Sequence, residues 1–323
     1  MRSRPVPQIL LLTMALHGAT AALAPARDIT TIPLASAGLA RTFAFVNGSV
    51  YIPTGLNGTV TRVDAKTRKV TATYKVGNPE AGWRRHDPTA VANVAGQVWV
   101  SLYSQSALGL LDPTSGKITR TVKLPAPAYG LTADGSTVWT VHFEEDAVMQ
   151  VDVNTGKILR NIKVHKPITV AVGEGAAWIV KHRDNEVARV DPGSSQVNAT
   201  IPLSLSDAFA SWATVAHGSV WATSLGDRAL YRIDPKTNKV VARIETGGST
   251  FGVAAHGQNV WVATRNLADP ASGALLRVDP ARNEVVEEVP VAGPTGLAAH
   301  DGALWVGYSP DGPTPALYHV SLP

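Results

Sequence analysis

Seven copies of one phrase between residue 44 and the C-terminus predict an all-β fold, a seven-bladed β-propeller of four-stranded blades. In each copy a small turn precedes an aromatic set in an apolar run. The aromatics are Tyr51, Trp99, Trp139, Trp178, Trp221, Trp261 and Trp305, separated by 48, 40, 39, 43, 40 and 44 residues, which is the period of a propeller blade. With 45% hydrophobic and 17% charged residues, 28 Gly and 22 Pro, the chain can bury a large core as one circular unit.

Within a copy the four strands follow in order. The clearest runs Gly252-Val-Ala-Ala, a turn at His256-Gly257, Asn259-Val-Trp-Val-Ala263, a polar loop, Ala274-Leu-Leu-Arg-Val278, a turn, and Glu284-Val-Val-Glu-Glu-Val-Pro-Val291. Each run is β-branched or alternating, as strands require. The turn between third and fourth strands is spelled Asp112-Pro-Thr-Ser-Gly116, Asp152-Val-Asn-Thr-Gly156, Asp234-Pro-Lys-Thr-Asn238 and Asp279-Pro-Ala-Arg-Asn283. Asp bonds the turn backbone, Pro presets φ, and the closing Gly or Asn tolerates a positive φ. Asp64, Asp112, Asp152, Asp191 and Asp234 each follow their aromatic by 13 residues; Asp279 follows Trp261 by 18, an insertion of about five residues after Thr264. The seventh copy lacks a fourth strand. Ile29-Thr-Thr-Ile-Pro-Leu34 reads like the fourth strands elsewhere, and Ala37-Gly-Leu-Ala40 after it matches Pro294-Thr-Gly-Leu-Ala298. The N-terminal strand is therefore expected to complete the last blade and remove its open edge.

Residues 1–26 have the layout of a secretory signal: Arg2 and Arg4, then Ile9-Leu-Leu-Leu-Thr-Met-Ala-Leu16, then small residues. The expected organisation is a signal peptide over 1–26 and one propeller domain over 27–323, secreted or periplasmic and monomeric. The apolar core is too short for a bilayer span, and the mature chain carries no other transmembrane candidate. Loss of Arg2 and Arg4 lowers the net charge from +4 to nearly balanced, and no dense Lys/Arg block suggests a nucleic-acid partner. There is no cysteine, so neither disulfides nor thiolate metal sites are available.

Gly218-Ser-Val-Trp-Ala222, Leu230-Tyr-Arg-Ile-Asp234 and Lys239-Val-Val-Ala-Arg-Ile244 resemble the blade motifs of the YVTN-type and streptogramin (virginiamycin B) lyase-like seven-bladed propellers. The resemblance covers nearly the whole mature chain and speaks for fold more than activity. In the lyases the motif usually reads Trp-Phe-Thr-Glu, and some of those glutamates belong to a mouth where magnesium is bound and a histidine acts as base. Here the corresponding positions are Thr54, Leu102, His142, Lys181, Ser224, Thr264 and Tyr308. None is glutamate, so no metal ligand is carried over. Magnesium enters only if the chain is lyase-like.

Candidate site residues are departures from the repeat at one ring face, where the loops after the aromatic strand and the connections between blades surround the channel mouth. His142 and Lys181 stand in adjacent blades, and two close cations call for an anion between them; Glu144, Glu145 and Asp146 are the internal alternative. The long connection Asn78-Pro-Glu-Ala-Gly-Trp-Arg-Arg-His86 places Trp83, Arg84, Arg85 and His86 together as an aromatic lid with a basic rim. Tyr129, Trp212 and Phe251 occupy equivalent connections and would give the mouth an aromatic lining, with core packing the rival explanation for Phe251. His217, His256 and His300 recur in the turn before the aromatic strand and belong to the opposite face. Two functions follow. One is an exported module holding a small or peptide-like, anionic ligand at the mouth. The other is a lyase-like or hydrolytic enzyme with His86 or His142 as base, Lys181 or Arg85 stabilising an anion, and Tyr308 as proton donor.

Overall fold

The computed structural model describes residues 27–35, 41–54, 57–78, 87–204, 208–308 and 316–322. Residues 1–26, expected from the sequence to be a signal peptide, Ala37 to Ala40, and the connection bearing Trp83, Arg84, Arg85 and His86 lie outside the described residues. The rest forms seven four-stranded antiparallel sheets, six of them built from four consecutive strands. In the seventh, Ile29–Pro33 joins the three C-terminal strands by pairing with Ala316–Ser321, Ile29 opposite Val320 and Pro33 opposite Ala316. The N-terminal closure expected from the sequence is what the sheet contains. Among the described residues no helix is long and apolar enough to cross a membrane.

The repeated aromatics form the core between blades. Trp99, Trp178 and Trp221 are fully buried, and Tyr51, Trp139, Trp261 and Trp305 nearly so. Each such tryptophan removes on the order of 200 Å² from water. Arginines of the outer two strands lie over them: Arg160 of a fourth strand and Arg189 and Arg232 of third strands stand 5.5, 5.4 and 5.2 Å from the ring centres of Trp139, Trp178 and Trp221. Two of them also bridge to the next blade. Arg189 donates to the Pro235 carbonyl at 2.6 Å and Asn238 Oδ1 at 3.0 Å; Arg232 donates to the Pro280 carbonyl at 2.7 Å and Asn283 Oδ1 at 3.0 Å. The turn asparagines thus serve twice, since Asn238 and Asn283 also take the left-handed conformation at φ 54°. The turn aspartates accept backbone N–H bonds as expected, for example Lys236 N–H to Asp234 at 2.8 Å, and these bonds hold the carboxyl below its ordinary pKa.

The insertion in the sixth copy does not form a separate polar loop. It lengthens a hairpin, with strands Asn259–Asn266 and Asp269–Asp279 paired out to Asn266 and Asp269, because added residues that keep strand pairing satisfy their own backbone groups.

Closure is fastened on both sides. Arg27, two residues before the closing strand, donates through Nε and Nη2 to the two Glu287 oxygens at 2.8 and 2.7 Å. Arg277 Nε donates to the same carboxylate at 2.6 Å, and Glu287 is buried. On the other flank Arg68 of the first blade donates to Asp28 at 3.1 Å and to Thr30 Oγ1 at 2.7 Å. Removing one partner of a buried, charge-assisted cluster leaves the others poorly compensated. Arg27→Ala should therefore lower the unfolding free energy by about 3 kcal/mol, and urea melts of the two proteins measure it; Arg68→Ala, in an exposed pair, should cost about 1 kcal/mol or less.

Candidate functional site

The inner strands of all seven blades surround an axial cavity of about 660 Å³. Each inner strand enters from the connection with the preceding blade and runs to the turn before the aromatic strand, so the cavity has a mouth at the connections and a floor at those turns. Arg41, Tyr129 and Trp212 stand at the mouth. Phe45 and His300 stand at the floor, stacked with ring centres 4.2 Å apart, with Asp301 3.2 Å from His300 Nε2. His300 thus lies on the face opposite the mouth, as its position in the repeat implied.

Bulges set the mouth. The inner strands of blades four to seven each lose register with their partner near their first residues, between Pro167 and Thr169, Ala210 and Ala213, Thr250 and Val253, and Pro294 and Leu297. A bulge sets two residues against one and re-aims a side chain. At Ser211-Trp212 the Trp212 N–H donates to Thr223 Oγ1 at 3.0 Å, and the indole lines the cavity. Tyr129 enters on blade three with its N–H bonded to the Val141 carbonyl at 2.7 Å, and its hydroxyl accepts a hydrogen bond from Arg41 Nη1 at 2.9 Å. These two expected residues are at the mouth. Phe251 is not among the residues lining the cavity; it packs against the sixth blade's core under Arg265, 4.3 Å from its ring centre.

His142 and Lys181 do not form a paired cationic clamp. His142 is fully buried. Its Nδ1 donates to the Pro127 carbonyl at 2.9 Å, and its Nε2 is 2.8 Å from Thr140 Oγ1. Burial pushes its pKa down. Lys181 lies between Asp184 at 2.6 Å and Glu186 at 2.5 Å; burial opposes its charge, but these carboxylates outweigh that and raise its pKa. Neither partner is one of the acids the sequence offered: Glu144 and Asp146 face Lys166 at 3.4 and 3.6 Å. Tyr308 is buried, 6.2 Å from Tyr318 in an edge-on contact. The physical reason is common to the set. Of the seven residues three after each aromatic, all but Lys181 are buried, because the blades pack on both faces of the second strand and alternation does not bring a side chain into water.

The residues sequence reasoning missed lie one step further, beyond the strand ends. His182 Nδ1 donates to the Ala210 carbonyl at 2.7 Å. Its ring sits 5.3 Å from Phe209 and 6.2 Å from Phe143. Burial lowers its pKa, and Arg183 and Arg41 lower it further. Arg183 lies 5.5 Å from the Phe209 ring centre, and Phe209 itself holds φ 58°, a conformation costly for a bulky side chain and found where surroundings enforce it. The only signal for these residues was their place in the same connections as Trp212 and Tyr129, and that signal singles out no one residue type.

The charges sort into two rings. Lys166 and Lys181 are satisfied by carboxylates. Arg41 and Arg183 have no carboxylate partner among the described residues. The cavity lining contains no Asp or Glu among the described residues. Nor do any three His, Asp or Glu side chains among the described residues converge as a metal would need.

His142 gives a pH test of the buried ring. Its folded pKa lies below the unfolded value of 6.5, so in that window the unfolded chain binds the extra proton and stability falls as pH drops. Thermal melts of the native protein should decline from pH 7 to pH 5 more steeply than those of His142→Gln, which keeps a donor and an acceptor but does not titrate there.

No family model and no curated protein matches the chain. Solved structures do. A streptogramin B lyase structure is 13% identical with a TM-score of 0.72, covering 92% of this chain and 98% of its own. A chain of the Kuenenia stuttgartiensis hydrazine synthase is 16% identical with a TM-score of 0.68, covering 84% and 94%. A chain of a mitotic checkpoint complex is 12% identical with a TM-score of 0.73, covering 100% and 99%. At such identities the likeness is one of fold: this is a seven-bladed β-propeller of the shape the streptogramin lyase also has.

Proposed function

We propose that this chain is an exported, monomeric binding protein that holds a small or peptide-like anionic ligand at the channel mouth. The observation that carries the reading is Arg41: a partly buried guanidinium at the edge of the cavity, oriented by the Tyr129 hydroxyl at 2.9 Å and without a carboxylate partner among the described residues. A cation placed so pays part of its desolvation without a counter-charge, and a carboxylate or phosphate supplies one by charge-assisted hydrogen bonds. Arg183 and the aromatic group of Phe143, Phe209 and Trp212 extend the same surface. Trp83, Arg84 and Arg85, by their place in the sequence, belong to the neighbouring connection and are proposed to add to it.

A second reading rests on His182. A carbonyl only accepts, so Nδ1 carries the proton toward Ala210, and Nε2 is left with its lone pair and no hydrogen bond among the described residues. A neutral imidazole with two arginines nearby is suited to take a proton from a substrate whose developing negative charge those arginines would face. His86 keeps its place as an alternative base; the buried His142 and Tyr308 do not reach the mouth, and Lys181 is occupied by its own acids.

For the binding reading, Arg41→Met should weaken binding of benzoate, chosen as a simple carboxylate, by about 10-fold, and Trp212→Ala should cost about 1–3 kcal/mol. Calorimetric titration measures both; unchanged affinity in both variants would sink the proposal. For the enzyme reading, any turnover found with cyclic ester substrates should disappear in His182→Gln and persist in His142→Gln.

A further inference from the structure

Every blade ends toward the axis in a sheet edge, because its innermost strand pairs on one side only. An edge carries a row of N–H and C=O groups that the ladder does not use. The register fixes which residues carry them. Ala216 pairs with Ser219, and His256 with Asn259, across two-residue turns. The pair flanking such a turn exchanges both backbone bonds, as does every second pair beyond it. The residues between them, Ala213 and Val215 in blade five and Val253 and Ala255 in blade six, therefore turn N–H and C=O away from their own sheet. All four line the cavity.

Other blades confirm the direction. Phe45, Val91 and Val170 hold the same alternate places in blades one, two and four, and side chains of adjoining blades meet their edge groups. Asn93 Nδ2 donates to the Phe45 carbonyl at 2.7 Å, the Val91 N–H donates to Thr42 Oγ1 at 3.0 Å, and Thr132 Oγ1 donates to the Val170 carbonyl at 2.8 Å. Among the described residues no such side chain meets the edge groups of blades five and six. The surface facing the axis is accordingly at least as polar as it is apolar.

Dimensions narrow the occupant. Edge groups recur every second residue, about 6.6 Å, which is the repeat of any extended backbone. The inner strand of blade three lines the cavity from Tyr129 to Ala133, four steps of about 3.3 Å, so the lined length is about 13 Å. A volume of about 660 Å³ over that length gives a mean section of about 50 Å². One extended strand is about 4.8 Å wide along its hydrogen bonds and about 10 Å across its side chains, which fills the same section.

We infer that the cavity accepts a short extended peptide of about four residues, its C-terminal carboxylate at Arg41 and Tyr129 and its backbone added as a strand to the inner edge of blade five or six. The inference rests on the mouth reading above and adds the peptide body. The inner strands run from mouth to floor, so a peptide with its carboxylate at the mouth lies antiparallel to them, the more stable pairing. Strand addition gives affinity through main-chain bonds and little side-chain selectivity.

The test is a calorimetric titration with N-acetyl-tetraalanine, its C-terminal amide, N-acetylalanine, and two N-methylated forms of the tetrapeptide, one methylated at the first and third amide nitrogens and the other at the second and fourth. The tetrapeptide acid should bind at least about 30-fold tighter than N-acetylalanine, which is about 2 kcal/mol. Only alternate residues of an added strand face the edge, so one methylated form should lose about 10-fold or more while the other stays within about 3-fold of the parent. Amidation of the C-terminus and Arg41→Met should each weaken the tetrapeptide by about 10-fold, with partial recovery in Arg41→Lys. Equal affinity for N-acetylalanine and the tetrapeptide, both lost in Arg41→Met, would overturn the peptide body and leave the mouth reading standing. Two methylated forms as tight as the parent, or both equally weakened, would overturn the strand pairing in the same way. An amide as tight as the acid, or acid binding indifferent to Arg41, would overturn the mouth reading and the inference with it.

Discussion

The last blade depends on a strand borrowed from the other end of the chain. A ring of sheets has no natural seam, yet a linear chain must create one, and here it falls inside blade seven between Ile29–Pro33 and Ala316–Ser321. Backbone pairing across five residues holds the strand, but pairing alone would leave it an edge that can fray. The buried Glu287 between Arg27 and Arg277, and the Arg68 contacts to Asp28 and Thr30, attach the strand to both neighbouring blades. The axial cavity exists only while that seam is closed, since its wall takes one inner strand from each blade.

The same closure explains where function can and cannot sit. Because every sheet is covered on both faces, positions within the strands serve packing whatever their chemistry. His142 is a histidine bonded internally on both ring nitrogens, not a catalytic group displayed to solvent. The segments free to vary are the connections at the strand ends, and there Arg41, Tyr129, His182, Arg183 and Trp212 gather. The lysines Lys166 and Lys181 of this face are neutralised by nearby acids, while Arg41 and Arg183 have no carboxylate partner among the described residues, so the described part of the mouth is electropositive where they stand.

The inter-blade stitching carries a second consequence. Threonines on the inner strands reach the backbone of the next blade, as Thr42 does to Val91 and Thr132 to Val170. Those bonds satisfy groups that would otherwise be left partly desolvated beside the channel.

The amino-acid sequence by itself determined the blade count, the aromatic spacing, the Asp-initiated turns and the donor of the last strand. These are local or periodic properties: a turn needs its Asp and its residue of positive φ within a few positions, and packing between like blades demands a like residue at each period. It also placed Tyr129 and Trp212 in the connections that reach the mouth. What only the tertiary structure decided was which polar residues remain available there. Lys181 and His142 look alike in the sequence to any exposed cation, and their partners Asp184, Glu186, Thr140 and Pro127 are near in sequence but not distinguishable from other neighbours. Arg41 acquires its meaning from Tyr129, 88 residues away, and from the absence of a described carboxylate around it. Availability is a property of burial and of long-range neighbours, and no local pattern encodes either.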